Sequence, residues 1–283
     1  MYPGHPGRAV SLTIERTRGA STEEIQDVVA AEEPLEIRVA QGSEPPVSVS
    51  ITMRTPGNDF ELAIGFLCTE GIIRSPSDVE AIAYAEDALP ERRYNVVQVS
   101  LSSEHPLDLS RLSRNFYTTS SCGVCGKASL DALHFQGCRP VAKDDFVVAA
   151  SVLQSLPDQL RHAQEIFDQT GGLHAAGLFS GDGKRLSLQE DVGRHNALDK
   201  LIGASFLGGE LPLERRVLML SGRASFELVQ KAVVARVSMI AAVGAPSSLA
   251  VDAARDFEVT LVGFLRRDGF NVYTGARRIC RGA

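Results

Sequence analysis

Two short stretches near the start of the chain, 35–39 and 47–53, alternate between apolar and polar residues. That period of two predicts a pair of strands, each with one buried face. A turn signal follows (Thr55-Pro56-Gly57-Asn58-Asp59). Leu62, Ile64, Phe66 and Leu67 then carry a helix, with Gly71 as its stop. A short helix is predicted over 79–88 and a strand over 94–101. Residues 102–121 are polar and broken by Pro106; they lead to Cys122-Gly123-Val124-Cys125-Gly126-Lys127, with a helix predicted over 128–135. From residue 157 the texture becomes a regular succession of elements. A helix over 157–169 ends at Gly171-Gly172, and strands over 173–179 and 185–188 flank a turn at 180–183. A helix over 194–207 ends at Gly208-Gly209, and a buried strand covers 216–220. A long helix spans 225–243 and another 247–256. Strands over 259–264 and 270–273 close the series. The first 30 or so residues are polar, lack strong periodicity and read as a ragged start.

This order implies a layered α/β domain in the C-terminal half, because strands alternating with helices bury their faces in layers. The expected organisation is a flexible segment over 1–30 and an N-terminal α+β region over 31–115. The cysteine loop with its helix follows over 116–140, then the C-terminal α/β domain over 141–283. A chain of 283 residues is long enough to bury a substantial core.

Composition narrows the function classes. Hydrophobic residues make up 44% and charged residues 23%, ordinary proportions for a soluble protein. No stretch reaches the roughly 18 unbroken apolar residues of a membrane span, and the N-terminus lacks a secretory pattern. A net charge of -6, with basic residues scattered, argues against general nucleic-acid binding. Five cysteines (Cys68, Cys122, Cys125, Cys138 and Cys280) are too few for a disulfide framework and point to a reducing compartment, the cytoplasm.

Cys122 and Cys125 hold the sharpest chemical signal, and three readings of them stand side by side. They supply half of a structural zinc site, they cycle as a disulfide, or one is a nucleophile with the other as helper. Cys138, His134, His174 and His195 are in number enough to complete a zinc site, but none forms a second CxxC or an HxxxH, and no HxE precedes the pair. A disulfide-cycling pair favours a thioredoxin-like setting near the N-terminus, whereas this pair is in mid-chain. The nucleophile reading suits the local residues. Lys127 and a following helix N-terminus favour the thiolate, and Gly123 and Gly126 remove bulk around it. Such a thiolate accepts a sulfur atom from another protein's persulfide by exchange. Cys68 and Cys138 read as buried bystanders, and His174, on an apolar strand, reads by itself as a core histidine.

The loop Ser121 to Gly126 resembles the signature of the formate dehydrogenase accessory sulfurtransferases, the FdhD family. Further blocks carry the likeness in order: Arg54 to Ala63, Gly65-Phe66-Leu67, Glu70 to Ile73, Thr170 to Ala176, Glu190 to Lys200, Ser221-Gly222-Arg223, Ala245 to Ala250 and Thr260 to Phe264. The resemblance implies a cytidine-deaminase-like layered α/β domain without the zinc chemistry, a smaller N-terminal accessory α+β region, and a homodimer. It also implies a sulfurtransferase that takes sulfur from a cysteine desulfurase. The acceptor is the molybdenum bis(molybdopterin guanine dinucleotide) cofactor, before that cofactor enters formate dehydrogenase. Cys122 would carry the persulfide and Cys125 would assist. The family's cofactor stretch matches Phe264, Leu265, Arg266, Arg267, Asp268 and Gly269, where Arg266 and Arg267 stand in a turn in which a Lys and a Pro are commoner. His174, Arg194, His195 and Arg223 join them as cofactor-binding candidates, since arginines and helix N-termini suit phosphates. A chaperone for the cofactor that needs no thiolate, and a structural zinc protein, are the competing functions.

Overall fold

The structure, a computed structural model, describes residues 7–104, 138–141 and 144–282. The cysteine loop with Cys122 and Cys125, and the helix expected over 128–135, lie outside the described residues.

The N-terminal part is built on a four-stranded sheet. Its strands are β3 (Glu33–Gln41), β4 (Val47–Arg54), β5 (Val79–Tyr84) and β6 (Val96–Leu101), in the spatial order β4-β3-β6-β5. Leu35, Ile37 and Val39 of β3 point into the core, as the alternation requires. Helix α1 (Asp59–Thr69) packs over β6 with Leu62, Ile64 and Leu67 buried. It starts after Asn58, whose left-handed backbone (φ 56°) lets the chain turn sharply out of β4.

The C-terminal part is a six-stranded mixed sheet. Its strands are β8 (His174–Ser180), β9 (Arg185–Asp191), β10 (Arg216–Leu220), β11 (Met239–Ala242), β12 (Thr260–Arg266) and β13 (Gly269–Thr274), in the order β13-β12-β11-β10-β8-β9. β10, β11 and β12 run parallel, while β8, β9 and β13 close the sheet with antiparallel pairings. Both faces are covered. Leu218, Leu220, Ile240 and Ala242 share a core with α4 (Arg194–Leu207), α5 (Phe226–Val234) and α6 (Ser248–Asp256). Val217, Met219, Met239 and Ala241 face Leu153, Leu156 and Leu160 of α2 (Ala150–His162) on the other side. The fold class is α/β, in layers. A two-residue parallel pair, β7 (Val148–Ala149) with β14 (Ile279–Cys280), ties the C-terminus beneath α2. No helix of the described residues is long and apolar enough to cross a membrane.

The two parts share one core. Helices α1 and α4 cross in close contact, and Leu62 and Leu67 belong to the same buried cluster as Leu198 and Leu201. The crossing is possible because both helices carry glycine there. A Cβ on Gly65 would lie 1.8 Å from the Asp199 carbonyl oxygen, and one on Gly203 would lie 1.8 Å from that of Glu61.

Four expectations need correction. The segment read as a ragged start forms a hairpin, β1 (Ala9–Arg18) with β2 (Ser21–Ala30), turning at Gly19 in the left-handed region. Both of its faces are largely exposed, so no in-out contrast marks it. Residues 79–84 pair with β6 as strand β5 rather than forming a helix, because strand pairing outweighs the helix propensity of an Ala- and Glu-rich stretch. The helix read over 157–169 is two helices. α2 starts at Ala150 and carries Pro157 inside it, and the short α3 (Glu165–Thr170) follows. The apolar spacing of Leu153, Leu156 and Leu160 continues through the proline and holds α2 on the sheet. The long helix over 225–243 is α5 followed by the buried strand β11. Arg236, at φ 59°, ends the helical run, and the apolar residues beyond it enter the sheet.

Candidate functional site

The carboxyl ends of β10, β11 and β12 define one edge of the large sheet, and the antiparallel pairings bring the start of β8 and the end of β9 to the same edge. His174 opens β8 opposite Asp191, the last residue of β9. Ligand crevices of open α/β sheets form at such an edge. The connections above it are laced together by backbone hydrogen bonds. Gly244 N–H donates to the Gly222 carbonyl (2.9 Å), Ser247 N–H to that of Ala224 (3.0 Å), and Phe264 N–H to that of Gly244 (3.1 Å). Gly244 is required because a Cβ there would sit 2.9 Å from the Arg223 Cα.

A buried polar network supports the β9 end. The Asp191 carboxylate accepts from Gly193 N–H (2.8 Å), Asn196 Nδ2 (3.0 Å) and Thr55 N–H (3.1 Å), and pairs with Lys200 Nζ at 2.7 Å. Lys200 also donates to the Thr55 carbonyl at 2.7 Å. Arg54 and Asp59, both buried, form a two-pronged ion pair with contacts of 3.0 Å each. Two sequence blocks far apart in the chain, around Thr55 and around Asp191, are thus one structural unit. It fixes the turn that presents Arg194 and His195 at the start of α4. Glu190 points the other way and accepts from the N–H groups of Ile166 (3.1 Å) and Phe167 (3.0 Å), capping α3.

His174 is half-buried at the start of β8. Burial and the neighbouring Arg194 keep its imidazole below the usual basicity, against the pull of Asp191. His195 is pushed down to about 4, by burial first and then by Arg194, Lys231 and His174, with Glu227 opposing. Its Nε2 lies 3.4 Å from Ser225 Oγ, and the Ser225 hydroxyl in turn stabilises the ionised Glu227. Both histidines are therefore neutral near pH 7, leaving Arg194 and Arg223 as the cations of this end of the edge. The Arg194 Nε is buried and has no hydrogen-bond partner among the described residues. Because His195 binds its proton less readily in the fold than in the unfolded chain, the unfolded state holds more protons between pH 6.5 and about 4. Stability should therefore fall as the pH drops through that window, and His195→Asn should flatten the fall. Urea midpoints of both proteins from pH 7 to 4 check this; parallel curves would contradict it.

At the other end of the edge, the stretch from Phe264 to Gly269 divides its side chains. Phe264 has φ 53° and is 46% exposed, at an irregularity in the β12–β13 pairing. A bulky residue with positive φ is an outlier that functional sites tolerate. Leu265 is buried, and Arg266 Nη1 donates to the Val243 carbonyl at 2.7 Å. Arg267 leans onto Asp158 of α2, while Asp268 is exposed in the turn before Gly269. From β12 to β9 is four strand spacings, about 19 Å. The candidate residues thus span an elongated edge and do not converge on one point.

Beside this edge lies a cavity of about 640 Å³, walled by α2, α3 and the sheet. His174, Ser221 and Arg266 meet there with Gln164, Arg161 and Gly172, none of which the sequence marked as a site residue. Gln164 was hidden because a continuous helix over 157–169 makes it an ordinary helical position, whereas in the structure it is the link between two helices. Ser225 and Glu227 were missed for a related reason: their link to His195 exists only in three dimensions. Among the described residues no group of three or more His, Cys, Asp or Glu side chains is placed to hold a metal ion. Of the other cysteines, Cys68 is buried and its thiol is pushed up to about 11, chiefly by burial, and burial likewise raises that of Cys138.

Comparison with known proteins agrees with this architecture. A crystal structure of a protein described as a formate dehydrogenase accessory protein, from Desulfotalea psychrophila, superposes with a TM-score of 0.72 at 23% identity, over 96% of this chain and 99% of that one, and so shares the fold. A protein named sulfur carrier protein FdhD from Mycolicibacterium paratuberculosis is 54% identical over 89% of this chain and 92% of its own length. Proteins of the same name from Streptomyces coelicolor and Sulfolobus acidocaldarius are 51% and 41% identical, each over at least 94% of both chains. The FdhD/NarQ family profile matches residues 30–280, and the chain belongs to that family.

Proposed function

We propose that this protein is a sulfur carrier serving formate dehydrogenase, working as a cytoplasmic homodimer between a cysteine desulfurase and the dehydrogenase. The observation that carries the reading is the near full-length similarity to relatives bearing the name sulfur carrier, in a chain that has a cysteine pair at Cys122 and Cys125. The Cys122 thiolate attacks the outer sulfur of the desulfurase persulfide. A new S–S bond forms on Cys122, the donor's S–S bond breaks, and the donor cysteine leaves as its thiolate, so no external oxidant or reductant is needed. Cys125 assists the hand-over. The acceptor is the molybdenum bis(molybdopterin guanine dinucleotide) cofactor, which enters as substrate.

The sheet edge suits such a substrate in length and charge. About 19 Å of edge carries Arg194, Arg223 and Arg266 as cations for pyrophosphates, the exposed Phe264 ring as a stacking surface, and two neutral imidazoles. The orphaned Nε of Arg194 is a buried donor that a phosphate oxygen would satisfy.

The test is mass spectrometry of the protein after incubation with an active cysteine desulfurase and cysteine. A reductant-sensitive gain of one sulfur atom on the Cys122 peptide is expected, and none in Cys122→Ala. Native spectra of the same sample read the subunit number, and a monomer alone would end the dimer part of the reading. Should no sulfur be gained, or should Cys122→Ala still mature formate dehydrogenase, a chaperone that binds the cofactor without a thiolate takes its place.

A further inference from the structure

The parallel strands β10 and β11 begin at the other edge of the large sheet, across from the candidate site. A second cavity, of about 370 Å³, opens there. Leu211 and Pro212, ahead of β10, line it together with the stretch from Val233 to Arg236, ahead of β11. Cys68 of α1 and Ile73 close its inner side. Ile73, Val233 and Ala235 are at most 2% exposed, so the floor is apolar and belongs to the core. The rim is basic. Arg74, Arg139 and Arg236 all line the cavity, and the first two are exposed. Their convergence is felt at Cys138, another lining residue: burial pushes its thiol up, while Arg74 and Arg236 both draw it back. One carboxylate offsets them, that of Glu214, which pairs with Arg236 at 2.7 Å. The Arg139 side chain has no ion pair among the described residues. On a chain of net charge -6, such a cluster is a local reversal of sign.

We propose that this cavity is the docking pocket for the sulfur donor, from which it takes one aliphatic or aromatic side chain flanked by carboxylates. The proposal rests on the sulfur-carrier reading above and deepens it by assigning the donor a surface. Charge selects an acidic partner, since three arginines stand against one glutamate. Guanidinium groups suit that task because they hold carboxylates in two-pronged fashion and are weakly hydrated. The apolar floor selects an anchoring side chain, because the strongest contacts of protein interfaces are anchors buried in a pocket and ringed by polar groups. Position selects the donor over the acceptor. Cys138 follows Cys125 by 13 residues in the chain, no more than about 45 Å of extended backbone, so a partner seated here stays within reach of the carrier pair. The carboxyl edge of the sheet, given above to the acceptor, is left free. Cys68 and Cys138 take no chemical part. Burial raises both thiols, that of Cys68 to about 11, so near pH 7 they line the pocket as neutral, weakly polar groups.

The experiment titrates an active cysteine desulfurase into the full chain by calorimetry, at low and at high salt. The rim variant Arg74→Glu/Arg139→Glu should bind about tenfold more weakly or worse and lose most of the salt dependence of the wild type. Arg92→Glu/Arg93→Glu makes the same charge reversal on exposed residues outside the cavity and should bind as the wild type does. Sulfur gain on the Cys122 peptide supplies a second readout. It should slow in the rim variant when the desulfurase is the donor, and stay unchanged with a small-molecule persulfide. Equal affinity of the wild type and the rim variant, or an equal loss in the control, overturns the inference and leaves the sulfur-carrier reading standing. A rim variant that melts well below the control, or turns monomeric in native spectra, shows that this chain or a second copy already fills the cavity, and overturns it too. A wild-type chain that neither binds the desulfurase nor gains sulfur from it overturns both.

Discussion

Gly203→Ala should lower the stability of the chain by about 3 kcal/mol or more and its melting temperature by roughly 6–12 °C. The reason is the distance between α1 and α4. The added Cβ would lie 1.8 Å from the Glu61 carbonyl oxygen, at least 1.2 Å inside the 3.0 Å limit of real contacts. That obstacle is backbone, which no rotamer change can move aside. The helices must separate, and they carry more than apolar contacts. Asp199, within α4, accepts from Thr69 Oγ1 and pairs with Lys231 Nζ, both at 3.0 Å, and Lys231 donates to Thr69 Oγ1 at 2.9 Å. Separation therefore strains a buried ionic cluster and the packing together. Gly65→Ala meets the mirror-image obstacle and should behave alike. Gly269→Ala, with nothing within 4 Å, is the control. Urea unfolding of the three variants decides the matter, and a Gly203→Ala midpoint equal to that of Gly269→Ala would show that the crossing is looser than described.

Much of this architecture was legible where one face of an element meets the core and the other meets water. Strands β3 and β4 carry that contrast, and their residues are where the pattern put them, while helix α4, buried on nearly all sides, was bounded by its Gly208-Gly209 stop. Two of the failures share a physical form. Where an element is exposed on both sides, as in the β1–β2 hairpin, or buried on all sides, as in β11, the contrast vanishes and local propensity misleads. The 225–243 stretch shows it: a nine-residue helix and a four-residue strand, both apolar, read as one helix. The candidate site was legible mainly through family resemblance. His174, Arg194 and His195 were named as ligand groups, and the structure sets them on the shared sheet edge. The support beneath them was not legible. Nothing in the spacing of Thr55 and Asp191, 136 residues apart, announces that they touch, and Gln164 lines no cavity until two helices and a sheet edge enclose it.

That support leads to the second large effect. Asp191 and Lys200 are both fully buried, 2.7 Å apart. Breaking such a pair by removing one partner typically costs about 3–5 kcal/mol, because the other charge stays behind unpaired. Lys200→Met strands the carboxylate, though Gly193, Asn196 and Thr55 still donate to it. Asp191→Asn strands the ammonium, whose remaining partner is the Thr55 carbonyl. The two variants differ in their pH dependence. Burial already depresses Lys200 below its ordinary 10.5 while Asp191 holds it up, so without Asp191 it falls further. The folded variant then sheds the proton at a pH where the unfolded chain still holds it. Across that window the unfolded state binds more protons, so stability rises with pH. The deficit of Asp191→Asn should shrink from pH 7 toward pH 10, whereas that of Lys200→Met should not. Because Asp191 also anchors the Gly193 turn, Asp191→Asn should disturb the Arg194 and His195 end of the sheet edge as well. Nuclear magnetic resonance of the His195 ring reads that directly, as a rise from about 4 toward the ordinary 6.5 once the ring is less enclosed. A stability deficit independent of pH, with an unmoved His195, would mean that the ion pair is spectator to both the fold and the site.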